Sequence, residues 1–293
     1  MKKIAIATLL AATTLVATAQ VSLNGKISTF VDNTEIGATS KTSLTTDPTS
    51  NITISVNENI GGMKARVVLD TSLKANDPIT GADTKLGDRQ STIGLSNSLG
   101  SIDLGRNLHS HFLAITNNDA FGTLYGSVAG DVHNLRGLRI SNGTFFALTP
   151  IKGVTATYDR TQTGAGTEAT SYSASAKLLG VNAVVAQYTQ GAEKSTVYGA
   201  SAKLGGTQVF YTHSNNEGIV ATKGDLIGAS QAFGRVTAKA SYGKTNTNVK
   251  AYALGADYNF SKRTAVGVNY RNVDVAGTAQ DVKQVGVGVT HRF

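Results

Sequence analysis

Two sets of side chains in this chain could do chemistry, a few histidines and a dispersed group of charged residues. The histidines are His109, His111, His133, His213 and His291, and there is no cysteine. Hydrolysis needs a nucleophile or activated water beside a positioned base, and no histidine here has a carboxylate at a recognisable spacing. His109-Ser110-His111 could offer two nitrogens from one face of an extended segment, but two ligands without a third make a poor metal site. Lack of cysteine removes disulfides, thiol nucleophiles and zinc-cysteine sites together. Gly286-Val287-Gly288 is followed by no helix and so is no dinucleotide loop. No reaction, cofactor or metal is expected. An enzyme remains as a remote alternative.

The charged set is richer. Lys plus Arg number 27 against 19 Asp plus Glu, a formal net charge of +8 that becomes +6 without Lys2 and Lys3. The charges form no basic run, which argues against a nucleic-acid footprint. Their meaning depends on the elements that hold them. Read with a period of two, Lys64, Arg66, Arg139, Lys177, Lys203, Lys239 and Arg271 share the polar face of strands with Asp70, Asp103, Asp159 and Asp257. Within residues 235 to 245, for example, Val236, Ala238, Ala240 and Tyr242 alternate with Arg235, Thr237, Lys239 and Ser241. The apolar faces mix small residues with Val and carry Tyr or Phe near the turns, which suits a lipid-facing wall around a wet lumen. A soluble sandwich would bury larger side chains there.

The chain ends agree. Met1-Lys2-Lys3, an apolar stretch from Ile4 to Val16 and Ala17-Thr18-Ala19 predict a signal peptide over 1–19. The apolar stretch is shorter than the roughly 20 residues of a spanning helix. Residues 20–293 are then expected to enter a membrane only as a closed barrel, in which every backbone group is paired. At the other end Val285, Val287, Val289, His291 and Phe293 fall on one face of a final strand. Gly is 32, Pro 3 and Trp absent, and the mean hydropathy is −0.08, as expected where a polar inside cancels an apolar outside.

Alternation divides residues 20–293 into about sixteen strands, beginning with 21 to 31 and 50 to 57 and ending with 281 to 293. The faces of 181 to 190 and 207 to 214 do not declare themselves. Short turns such as 59–62, 98–100, 179–180 and 205–206 are expected on the periplasmic side, with the longer stretches outside. Residues 107 to 135, before a strand at 136 to 147, are the longest stretch without alternation between strands. Such length points to a functional or disordered loop, and this one carries Asp119 and Asp131.

Arg89-Gln90-Ser91-Thr92-Ile93-Gly94-Leu95 with Gly100 and Leu104-Gly105-Arg106 resembles the Arg-Gln, Gly-Leu and Gly-Arg hairpin of the general porins of β-proteobacteria. Asn57 to Ala65 resembles that family's first periplasmic turn, and Leu254 to Thr264 its late Ser-Lys-Arg-Thr turn. With the leader and His291-Arg292-Phe293, the likeness spans the chain. It implies an all-β fold, a transmembrane antiparallel barrel of about sixteen strands, assembled as a homotrimer, with the third external loop folded into the lumen. It further implies export through the periplasm to the outer membrane and contact with lipid and lipopolysaccharide. Phe293 would be read by the barrel-assembly machinery. The function implied is a general diffusion porin passing small solutes and ions, weakly anion-selective; the alternative is a solute-specific channel, for which the lumen offers no aromatic track. Arg89, Arg106 and Arg139 match family arginines near the constriction. Together with Arg66, Lys64, Asp119 and Asp131 they are the expected constriction set. Strict parity turns Arg89 and Arg106 outward, so each needs a bulge, a bend at Gly105 or a rim position. Ser50-Asn51 stands where the family often has Ser-Arg, which removes one wall charge.

Overall fold

The computed structural model describes residues 19–75, 85–133, 135, 137–161, 168–218, 221–277 and 281–293; the expected leader, apart from Ala19, lies outside them. Among the described residues, seventeen strands form one antiparallel sheet. They are β1 (Gln20–Ile36), β2 (Thr39–Thr46), β3 (Asn51–Ile60), β4 (Met63–Ser72), β5 (Gln90–Ser96), β6 (Gly100–Leu108), β7 (Arg139–Ile151), β8 (Val154–Thr161) and β9 (Ala169–Leu178). Then follow β10 (Val181–Gln190), β11 (Glu193–Leu204), β12 (Thr207–Glu217), β13 (Thr222–Phe233), β14 (Val236–Thr245), β15 (Val249–Asn259), β16 (Thr264–Val275) and β17 (Val282–Arg292). Between β6 and β7 lie two short helices, α1 (Ser110–Thr116) and α2 (Ala129–Val132).

The sheet closes on itself because β1 pairs β17 from Lys26↔Arg292 to Ile36↔Val282. On its other side β1 meets β2 and β3 in turn. These two are halves of one stave interrupted at residues 47–50, so the barrel has sixteen staves. At the closure Gly25 and Phe293 exchange both backbone hydrogen bonds, at 2.9 and 3.0 Å.

Alternation sorts the two faces. Val285, Val287 and Val289 are exposed on the outside, while the intervening Gly286 and Gly288 are buried in the lumen. The hydrophobic core is therefore displaced. Ile115, Phe121, Val128 and Val132 of the β6–β7 loop pack on Ala186, Val197, Leu226, Ala251 and Ala253 of the inner wall. This explains why β10 and β12 hide their faces in the sequence. Ala186 and Tyr188 point inward because the loop lies on them.

Turns on the side of the chain ends are short, and Gly61-Gly62 and Leu179-Gly180 both have two consecutive positive φ angles, the geometry that matches strand twist in two-residue hairpins. The opposite side differs from expectation. Its turns at 37–38 and 191–192 are equally short, and the segment read as a loop after residue 31 is strand up to Ile36 and again in β2. The sequence Thr-Ser-Lys-Thr-Ser-Leu-Thr-Thr lacks an apolar face, yet threonine suits a strand, and Ser43 and Thr45 donate to Asp32 across the pair at 3.4 and 2.6 Å. β7 also begins at Arg139 rather than 136.

Candidate functional site

The β6–β7 loop turns into the barrel and runs across it, held by residues of the inner wall. At its start the Asp159 carboxylate accepts the Ser110 N–H at 2.6 Å, and the Ser110 and Ser171 hydroxyls are 2.9 Å apart. His109 caps α1 by accepting the Phe112 N–H at 3.2 Å, and its ring stacks on Tyr188 at 4.7 Å. His111 Nε2 lies 2.8 Å from the Ser195 hydroxyl. The two rings thus face different partners, 5.8 Å apart, and do not converge as ligands. Toward the loop's end His133 sits between Thr212 and Ser214, at 2.6 and 2.8 Å. Burial keeps the His111 and His133 imidazoles neutral, pushing His111 down to about 3 and His133 to about 4.

The loop's tip is organised by Asp119. Its carboxylate accepts from Phe121 N at 3.2 Å, Thr123 N at 2.8 Å and the Ser127 hydroxyl at 2.6 Å. Tyr125 stacks on Phe30 of β1 with ring centroids 4.0 Å apart, and its N–H donates to Asp47 at 2.9 Å. Asp47 also faces Lys26 at 3.4 Å.

Close seating requires small wall residues. A Cβ on Gly199 would come within 2.7 Å of Asn118, one on Gly243 within 2.4 Å of Val132, and one on Gly286 within 2.2 Å of the Tyr125 hydroxyl. The same holds at Gly224, where Val132 O would be 2.2 Å away. Sequence reasoning missed this seat. Its trace is a run of glycine, alanine and serine at inward positions of β11 to β17, which looks like nothing more than weak amphipathicity.

Among the described residues, the two helices pack on β8 to β11 and on β13 to β15, away from the arc β3 to β7. Four arginines stand on that arc. Arg66 on β4 reaches across β5 to Asp103 on β6, its Nη2 donating to both carboxylate oxygens at 2.9 and 2.7 Å. The intervening residue in register is Gly94, where a Cβ would sit 2.0 Å from the Asp103 carboxylate. Arg89, on the rim just before β5, donates through Nε to Asp70 at 3.0 Å and also meets the Pro48 carbonyl. Asp70 accepts from Asn51 and Thr53 as well, at 2.6 and 2.8 Å. The register of β6 with β7 shifts between Gly105 and Asn107, while Arg106 stays opposite Ser91 of β5 and donates to the Asp88 carbonyl at 2.7 Å and to the Ser141 hydroxyl. Arg139 opens β7 within electrostatic reach of Arg89 and Arg106. Its buried Nε has no hydrogen-bond partner. Among the described residues neither Arg106 nor Arg139 has a carboxylate within ion-pair distance.

Three expected members stand apart from this group. Asp119 spends its carboxylate inside the loop, where three donors already surround it. Asp131 is tied to Arg271 of β16 at 2.7 Å, so it anchors the loop rather than facing the arc. Lys64 lies beside Gln20, Asn57 and Asn59 at the mouth on the side of the chain ends, because it precedes Arg66 by two positions at the start of β4.

The profile of the Gram-negative porins matches residues 7–293. No curated protein matches. Among solved structures, the anion-selective porin from Comamonas acidovorans superposes with TM-score 0.83 at 20% identity, over 94% of this chain and 100% of that one. A multiply substituted Rh. blastica porin gives 0.74 at 19%, over 94% and 100%. Salmonella typhi OmpF in complex with daunomycin gives 0.74 at 16%, over 93% and 97%.

Proposed function

Because this chain belongs to the Gram-negative porin family and forms a diffusion channel in the outer membrane, we propose that its passage is weakly anion-selective and that the β3–β7 arc sets the preference. The observation that carries this reading is unequal pairing. Arg66 and Arg89 are matched by Asp103 and Asp70, whereas Arg106 and Arg139 are not. The loop adds no opposing free carboxylate, since Asp119 and Asp131 are engaged elsewhere. Two uncompensated cations in a narrow aqueous passage raise the local anion concentration. The preference is modest because most of the arc is neutralised. The Comamonas acidovorans protein, described as anion-selective, lends support at the level of fold.

The test is the reversal potential of purified protein in planar bilayers under a KCl gradient. Arg139→Ser and Arg106→Ser should each move it toward the cation side, more than Lys203→Ser does. The effect should shrink as salt rises, since the Debye length is about 8 Å at physiological ionic strength and shorter above it. Equal shifts from all three substitutions, or cation preference in the native protein at low salt, would overturn the assignment.

A homotrimer belongs to the same proposal. An OmpT structure among the neighbours is described as a trimer form. Unheated samples should migrate at about three times the mass of the heated chain, and a monomer alone in mild detergent would count against it. Lipopolysaccharide at the outer rim and the assembly machinery at Phe293 complete the partners we propose.

A further inference from the structure

Below α1, toward the chain-end side, the lumen wall opens into a cavity of about 420 Å³ between the helix and β8 to β11. This volume lies in the range of small-molecule pockets, roughly 300–1,000 Å³. Its lining differs from the arginine arc in containing no carboxylate and no aromatic ring, and in carrying a single cation, Lys177. Around Lys177 stand hydroxyl and amide groups that the protein leaves unused. Among the described residues, the Thr155 and Ser175 hydroxyls and the Asn117 side chain make no protein hydrogen bond, and Lys177 has no ion-pair partner. Asn118, only 4% exposed, presents a side-chain oxygen with no partner. Buried polar atoms are normally satisfied, so an unpartnered amide oxygen beside several free donors marks a wall built to meet a polar guest.

We propose that this cavity is a weak binding site for open-chain polyhydroxylated monocarboxylates in transit, resting on the channel reading above. The carboxylate pairs with Lys177, and the hydroxyls replace water on Thr155, Ser175 and Asn117. Exchange of water for solute hydroxyls is close to neutral in free energy, so occupancy is brief and conduction continues. The absence of an aromatic platform disfavours a ring sugar held by stacking. The absence of a second cation disfavours dianions.

The experiment uses the full protein in planar bilayers at constant KCl, with gluconate as probe, sorbitol supplying hydroxyls without charge, and butyrate supplying charge without hydroxyls. Gluconate should produce blockade events whose frequency saturates, while sorbitol and butyrate should give shorter events. Lys177→Gln should raise the half-saturating gluconate concentration about threefold to fivefold, the loss expected for one solvated ion pair. The Thr155→Val/Ser175→Ala double variant should shorten gluconate events and leave butyrate events unchanged. Gluconate behaving like butyrate would overturn the proposal. So would loss of block in Arg139→Ser with full block in Lys177→Gln, which would put the binding on the arginine arc. If the native protein carried no KCl current, the underlying channel reading would fail instead.

Discussion

At Gly94 a single missing side chain lets two charges meet across a strand. Arg66 and Asp103 belong to staves that do not touch, and they pair only because the residue in register between them has no Cβ. Gly94→Val should therefore separate them, at an overpacking cost of about 1–3 kcal/mol. The expected outcome is a barrel that unfolds at lower denaturant concentration by gel mobility, with reversal potential shifted because Arg66 is released from its partner. Unchanged selectivity would show that the pair does not face the conducting path. The sequence supplied the identities of these residues through parity and resemblance, but not their partners. Pairing across two strands depends on register, which no local spacing encodes. Asp119 was misleading for a different reason. A carboxylate two to four residues before free backbone N–H groups can organise its own turn, and in a loop without periodicity nothing distinguishes that use from a pore-facing one.

The loop is the element whose position decides the width of the passage, and its attachment depends on protonation. A free imidazole titrates near 6.5. In the docked loop His111 is held down to about 3 and His133 to about 4, in each case chiefly by burial. His109 adds to the effect at His111 and His213 at His133, while Asp225 opposes it at His133. Only the neutral rings fit the docked state, so attachment is at full strength above pH 6.5. It weakens as pH falls below that value, by up to about 1.4 kcal/mol per histidine and pH unit, until the docked rings themselves take protons. Current noise in the open channel should rise as pH drops from 6 toward 4, and the His111→Gln/His133→Gln double variant should lose that dependence. Flat noise in the native protein across this range would show that the loop is held by other means. The staves were legible because their outer faces repeat every second residue. The seat of the loop was not, since the glycines that make room for it are inward positions whose neighbours are fixed only in the closed barrel. β2 was lost for want of an apolar face, although its hydroxyls are those that pair with Asp32.

For the whole molecule, the decisive pairing is that of the first strand with the last. The Phe293 ring covers Gly25, where a Cβ would come within 2.2 Å of it, much as an aromatic neighbour shields a glycine in other sheets. Deleting Phe293, or substituting Gly25→Leu, should lower the yield of heat-modifiable barrel in the outer membrane without stopping export. Normal yield from both would deny the closure its role. The pairing also has a kinetic consequence. Lys26 meets Arg292, so the last contacts to form join residues separated by nearly the whole chain, and loop-closure entropy must be met before that seam rewards it. Until then the sheet has two free edges, each able to template pairing with another chain. Folding of this chain is accordingly expected to be slow and all-or-none, with no stable half-barrel, and the dangerous species is the nearly finished one.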